Sequence, residues 1–177
     1  MRFILKLLGL AVVVGVVAGG ITVAYVRTTG LKALPEPGPL ETRVARAVRS
    51  LAISPDDKSR TNPLVGSAEA MQEGLQHFAK YCAMCHGNNG SNEKTPIGHG
   101  LFPKPPDLRA SATQELSDGE LFYIIENGVR FTGMPAFGTG TRSEAGDRQV
   151  WQLVTFIRHL PSLSTAEVGW MESLNPL

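Results

Sequence analysis

The sequence predicts an all-α protein, with an N-terminal membrane-spanning helix and a linker ahead of a helical body over residues 67–160. Three observations predict it. Leu7 to Val26 runs for twenty residues without a charge. Beyond Ser67 the apolar positions recur at helical spacing, and no stretch alternates convincingly as a strand. At 177 residues the chain is long enough for one domain plus attachments but not for two cores.

Composition narrows the function. The chain is 42% hydrophobic and 19% charged, which reads as folded. A net charge of +1 lacks the basic excess of a nucleic-acid binder. Two cysteines exclude a disulfide-dense scaffold, and also a four-cysteine zinc or iron–sulfur site from this chain alone. The charge is unevenly spread: nine Lys/Arg against four Asp/Glu up to Gly66, then eight against twelve.

Residues 1–27 form the first segment. At about 1.5 Å per residue the uncharged run spans about 30 Å, the hydrocarbon thickness of a bilayer. A buried core helix would show a polar face, and this run shows none. The competing reading is a cleavable signal peptide, with Leu7 to Val17 as its apolar region and Ala18-Gly19-Gly20 as the cleavage site. Continuation of the run through Ile21, Val23, Ala24, Tyr25 and Val26 favours an uncleaved anchor. Both readings export the remainder. Arg2 and Lys6 hold the N-terminus inside, with Arg27 and Lys32 as a counterweight.

Residues 28–66 read as a linker. Pro35-Glu36-Pro37-Gly38-Pro39 is stiff and extended. Leu40 to Ala52 follows as an amphipathic helix, with Leu40, Val44, Ala47, Val48 and Leu51 on one face and Arg43, Arg46 and Arg49 on the other. Such a helix either packs on its own domain or a neighbouring subunit, or lies on an anionic membrane surface; its shortness favours packing.

In the body, Ala68 to Tyr81 predicts a first helix with Met71, Leu75, Phe78 and Cys82 on one stripe. Gly74 lies on that stripe, where another helix can approach closely. Residues 87–116 are loop-like. Ser117-Asp118-Gly119-Glu120 is a capping-box signal for a helix that Gly128 closes. Gly133 to Gly140 is a loop around Met134. A last helix runs from about Gly146 to Leu160, stopped by Pro161. Residues 161–177 form an extension in which a short helix can follow Ser164.

Cys82-Ala83-Met84-Cys85-His86 decides the chemistry. Two thiols three apart at a helix end can add to the two vinyl groups of one haem, and the next residue then offers imidazole to the iron. Chance placement of these cysteines and histidines would produce the pattern roughly once in four thousand chains. A thioredoxin-like dithiol wants a βαβ context, and a zinc site wants further clustered ligands, whereas His77, His99 and His159 are scattered.

With His86 as the proximal ligand, the iron needs a sixth. Met84 lies inside the attachment loop, Met71 on the packing stripe, and His77 on a helix face. Met134 sits in Gly133-Met134-Pro135-Ala136-Phe137-Gly138, where flanking Gly and Pro can aim one side chain inward, so the expected pair is His86 and Met134. His99 is the runner-up. Tyr123, Arg130 and Arg109 could reach haem propionates, or serve as plain surface or packing residues.

Over residues 67–160 the chain resembles the class I single-haem c-type cytochromes in their bacterial membrane-anchored form. Cys82, Cys85, His86 and the Met134-Pro135 loop carry the resemblance, together with Gly74 and Phe78 facing a final helix with Trp151 and Val154. It implies the class I cytochrome c fold, about four helices around one covalently attached haem c. It also implies a helix-crossing contact at Gly74, Phe78 and Trp151, and a loop-proline carbonyl that accepts the Nδ1–H of His86. Pro96 is the best match for that proline, with Pro103, Pro105 and Pro106 competing.

A haem with both axial positions filled by protein exchanges one electron and does not readily bind substrate. The expected function is therefore an electron carrier, not an enzyme, in a respiratory or photosynthetic chain. It would be anchored by one pass in the cytoplasmic membrane with the haem domain facing the periplasm. Its partners would be redox proteins docking briefly through small interfaces, with basic surfaces to meet the acidic body. The alternatives are a haem c subunit of a larger oxidase, reductase or dehydrogenase complex, and a ligand-binding sensor with displaceable Met134.

Overall fold

Two units divide the chain, Met1–Ala33 and Leu34–Leu177. The computed structural model describes residues 2–92, 95–138 and 144–175, with Thr29 and Glu144 described by backbone alone.

The first unit is built on α1 (Arg2–Thr29), which is long and apolar enough to cross a membrane. Its Thr22 and Thr28 hydroxyls are satisfied within the helix: Thr22 Oγ1 donates to the Ala18 carbonyl at 2.9 Å and Thr28 Oγ1 to that of Ala24 at 2.8 Å. Hydrocarbon demands this of any polar group it surrounds.

The second unit runs α2 (Pro39–Ala52), α3 (Pro55–Lys58), α4 (Ala68–His77), a π-helical turn (Phe78–Cys82) and α5 (Ala83–His86). A 3-10 turn (Gly98–Gly100), α6 (Ser111–Gln114), α7 (Asp118–Asn127), α8 (Glu144–His159), a second 3-10 turn (Leu160–Ser162) and α9 (Thr165–Leu174) follow. The fold is all-α, without a strand among the described residues. Serines start four of these helices, Ser54 Oγ accepting the Asp57 N–H ahead of α3. Ser67 Oγ accepts the Ala70 N–H, while Ser117 with Glu120 and Ser164 with Glu167 complete capping boxes, each cap worth about 1 kcal/mol.

The core forms where α4 crosses α8. A Cβ on Gly74 would drive into the Gln152 backbone carbonyl and lie 3.0 Å from Phe156 Cβ. Phe78 packs on Phe156 with ring centres 5.1 Å apart and planes tilted by 54°. Leu75, Phe78, Phe122, Val154, Phe156 and Leu160 are fully buried around this contact. Trp151 departs from expectation. The atoms nearest Gly74 come from Gln152 and Phe156, one helical turn apart on one face, whereas Trp151 is rotated from that face and stacks on Phe122 of α7 at 4.3 Å.

The first body helix also differs from the expected continuous Ala68–Tyr81. It stays α-helical to His77 and then opens into the π turn. The expected loop over 87–116 contains one 3-10 turn and α6, and α8 begins at Glu144, earlier than Gly146. The far end of the Met134 loop, at 139 and 140, lies outside the described residues.

The segment ahead of α4 is stapled to the body. The Arg60 guanidinium lies 3.9 Å from the Phe122 ring centre and pairs with Asp147 at 3.1 Å. Asn62 donates to Thr155 Oγ1 at 2.9 Å and to the Trp151 carbonyl. Ser117 Oγ donates to the Lys58 carbonyl at 2.8 Å. In α9, Met171 is fully buried and joins the core. The apolar face of α2 does not pack on its own domain: Leu40, Val44, Val48 and Leu51 are all exposed.

Candidate functional site

The Cys82–His86 motif rides on the end of a helix whose pitch changes. The π turn widens the backbone between α4 and α5, a device found often beside functional sites. Within it Phe78 is fully buried and lies 6.4 Å, ring centre to ring centre, from His86. Cys82 packs against the core, Ala83 is buried and Met84 is exposed. Gly87 then ends the helix at φ +76°, a backbone state that suits glycine.

A loop closes over the motif's carbonyl end. Thr95 Oγ1 donates to the Cys85 carbonyl at 3.2 Å and accepts the Gly98 N–H at 2.9 Å. A side chain on Gly98 would run into that same carbonyl. The His86 carbonyl accepts the Asn92 N–H at 3.2 Å, and the Leu108 N–H donates to Gly90 at 2.8 Å, drawing residues 106–108 toward the motif.

Electrostatics set the protonation of these groups. Burial, followed by the neighbouring Cys85, pushes the Cys82 thiol up to about 12, and burial pushes Cys85 up as well. A redox dithiol or zinc thiolate needs the opposite shift. Among the described residues, no cluster of three or more His, Cys, Asp and Glu is placed to hold a metal ion.

Burial holds His86 below the usual imidazole range, with the Pro106 backbone carbonyl pulling the other way. The ring is therefore neutral at pH 7, the form that binds a metal. Its Nδ1 is buried without a hydrogen bond of standard geometry, so the Pro106 carbonyl is the acceptor that bears on it. This is the place the resemblance assigned first to Pro96. Both prolines are exposed, but the Leu108–Gly90 hydrogen bond holds the Pro106 segment beside the motif.

Met134 is half-buried and packs against the same core as Cys82. Its loop is laced to the end of α7. The Val129 N–H donates to the Met134 carbonyl at 3.1 Å, Phe137 N–H to Ile125 at 3.0 Å, and Gly138 N–H to Glu126 at 2.8 Å. The Met134 N–H donates to Thr132 Oγ1 at 3.1 Å. Gly128, at φ +66°, sits where this loop crosses: a Cβ there would lie 2.6–2.8 Å from backbone atoms of Met134, Pro135 and Ala136. Gly133 lies against the Leu101 side chain, and Leu101 N–H donates to Gly98 at 3.2 Å. Leu101 thus links the Met134 loop to the loop on Cys85.

The other candidate ligands are differently engaged. His99 is exposed, His77 stacks with Tyr81 at 6.3 Å, and Met71 packs on the flank of the core. Of the groups considered for propionates, Arg109 pairs with Asp107 at 3.3 Å, Arg130 is exposed and Tyr123 is half-buried. The supporting roles of Gly98, Leu101 and Gly128 escape sequence reasoning, although Gly128 is visible there as a helix stop.

Residues 69–157 match the family described as cytochrome C oxidase, cbb3-type, subunit III. The chain belongs to this family. It is a class I c-type cytochrome domain, an electron-transfer protein and not a catalytic enzyme. A comparison with curated proteins finds no match. The cytochrome match takes in the α4/α8 crossing, the motif and the Met134 loop, and it stops short of α1, α2 and α9. Haem c is the cofactor such a domain implies, and the residues fit it. A neutral buried imidazole whose Nδ1 is unpartnered with the Pro106 carbonyl nearby, a thioether in a braced loop and two protonated thiols suit this group.

Proposed function

We propose that this chain is a one-electron carrier holding one haem c. Cys82 and Cys85 would hold the group through thioether bonds, and His86 and Met134 would fill the axial positions on its iron. The observation that carries the reading is the pairing of Cys82-Ala83-Met84-Cys85-His86, set on the π turn and α5, with a Met134 loop braced by Gly128. When bound, haem supplies exchange of a single electron between ferric and ferrous iron. The chain's own residues keep the ligands still. The Pro106 carbonyl near the His86 ring would take its Nδ1–H once the ring is set against the iron, and the α7 carbonyls that receive Phe137 and Gly138 hold the Met134 loop. Fixed ligands lower reorganisation, and a soft thioether favours the reduced state, which suits the oxidising side of a respiratory or photosynthetic chain.

α1 supports a single-pass anchor in the cytoplasmic membrane, with the haem domain on the periplasmic side and Arg2 and Lys6 inside. The partners are redox proteins that dock briefly. The description of the matching family favours a second reading, in which the same domain is a fixed haem c subunit of a larger oxidase complex. Detergent extraction followed by native sizing separates a free tether from a subunit.

The test begins with haem staining after denaturing electrophoresis. A stained band from the full chain is expected; colourless protein, or pigment lost to acidified acetone, overturns the reading. Met134→Ala should keep the stain and lose the Fe–S(Met) charge-transfer band of the ferric form. A retained band would move the sixth ligand, with His99→Ala the next variant to make.

A further inference from the structure

We propose that α2 is a second membrane contact, its Leu40–Val44–Val48–Leu51 face lying in the headgroup–acyl boundary of the bilayer that α1 crosses; this rests on the reading of α1 as a span. The helix is mounted with its apolar side outward. Leu40 is 74% and Leu51 85% exposed, with Val44 and Val48 between them also exposed. At about 100° per residue these four and Ala47 occupy an arc about 100° wide. On the opposite side Thr42 and Arg49 are half-buried, while Arg46 is exposed. Arg49 is half-buried within electrostatic reach of Glu120, and the Ser50 hydroxyl accepts from Lys58 Nζ at 3.0 Å. A helix held to its own domain through Arg49 and Ser50 leaves its apolar face to another surface.

Chain length says which surface. α1 ends at Thr29 and α2 begins at Pro39, leaving nine residues between them. Fully extended they reach about 30 Å, so α2 cannot travel far from the point where α1 leaves the hydrocarbon. Leu34, within this stretch, is exposed as well. Arg43 borders the apolar arc and Arg46 follows it, positions from which guanidinium groups meet lipid phosphates; Glu41 stands at the other border. A second copy of the chain is the poorer occupant. A stable protein interface buries about 800 Å² per partner, more than a four-residue stripe offers. Lipid needs no such area, because the covalent tether already supplies a high effective concentration. Docked this way, α2 would set the tilt of the haem domain above the membrane and so the direction in which it meets partners.

The experiment uses the full, haem-loaded chain in nanodiscs of phosphatidylcholine and phosphatidylglycerol, with the haem reduced so that the iron is diamagnetic. Nitroxide labels are placed on Val14→Cys, Val48→Cys and Arg46→Cys, and the unsubstituted chain controls for labelling at Cys82 and Cys85. Collision with oxygen, enriched in lipid, is compared with collision with a water-soluble nickel chelate. The expected result is a reversal of sign: oxygen dominates at 48 and the chelate at 46. Chelate access at 48 equal to that at 46 places α2 in water and overturns the inference. A label at 48 shielded from both reagents places it against protein and overturns it equally. The label at 14 separates the two levels. Deep burial in lipid there, with either adverse result at 48, removes only the role of α2, whereas chelate access at 14 removes the span and the inference with it.

Discussion

Under the proposed ligation, Gly128→Ala should detach Met134 from the haem iron while leaving the haem covalently bound. Two costs meet at this position. The φ of +66° puts an alanine in the left-handed region, at about 1–2 kcal/mol. The new Cβ would also lie 2.6 Å from the Pro135 carbonyl carbon, 2.7 Å from Ala136 N and 2.8 Å from Met134 O. These are backbone atoms, so no rotamer change relieves them and the loop itself must move, as in overpacked cores that lose about 1–3 kcal/mol. The combined penalty of about 2–5 kcal/mol falls on the segment that carries Met134 and corresponds to a shift of about thirtyfold to several thousandfold in the loop's docking equilibrium. The assay is the ferric Fe–S(Met) charge-transfer band with a titration of imidazole as competing ligand, alongside the haem stain. The band should collapse and imidazole affinity should rise by at least tenfold, with stain intensity unchanged. Gly100→Ala, with nothing within 4 Å of the added carbon, is the control and should match the parent. A full band and parental imidazole affinity in Gly128→Ala would refute the argument that this glycine seats the ligand loop.

Gly74→Ala should behave differently, because its Cβ would press into the Gln152 carbonyl at the α4/α8 crossing. A loss of about 1–3 kcal/mol in the denaturant midpoint of the whole domain is expected; an unchanged midpoint would mean that the crossing tolerates a wider spacing. Glu167 supplies a pH dependence. The Ser164 hydroxyl and N–H, with His159 adding, hold its carboxyl below the usual carboxylate range. Its stabilisation is therefore complete above about pH 4.3 and is lost as pH falls through the depressed native value. The stability gap between the parent and Glu167→Gln should narrow in that window, and a gap constant from pH 7 to pH 3 would count against the pairing.

The fold and the motif were legible for different reasons. Ser117 with Glu120, and Ser164, announce helix starts because capping is a local negotiation between a side chain and the next turn. The crossing at Gly74 was legible because a missing side chain on an apolar stripe has few other uses. The pitch change at Phe78 was not. An α-helix and a π turn share nearly the same apolar spacing over five residues, and the choice is made by tertiary contacts such as Phe78 on Phe156 and His86. The choice among four prolines for His86 has no local signal either. A backbone carbonyl has no sequence signature, and the Leu108–Gly90 hydrogen bond that brings Pro106 inward pairs residues far apart in a loop. Trp151 shows the limit of an apolar face: the residue was placed on the right helix, but Arg60 and Phe122 compete for its ring and take it from the crossing.

The orientation of α2 shows a further limit. Periodicity reveals that a helix has two faces, not which of them the rest of the protein will meet. Here the neighbouring surface offers Glu120 and Lys58, both polar, so the Arg49 side is the one held. Left in water, each large apolar side chain on the other face forgoes about 1.5–3 kcal/mol of burial, and a 14-residue helix in isolation is only marginally stable. The order of α2 and its outward apolar face are therefore at odds in water alone. The proposed contact with a bilayer within nine residues of its N-terminus would resolve that conflict without a change in the packing of the second unit.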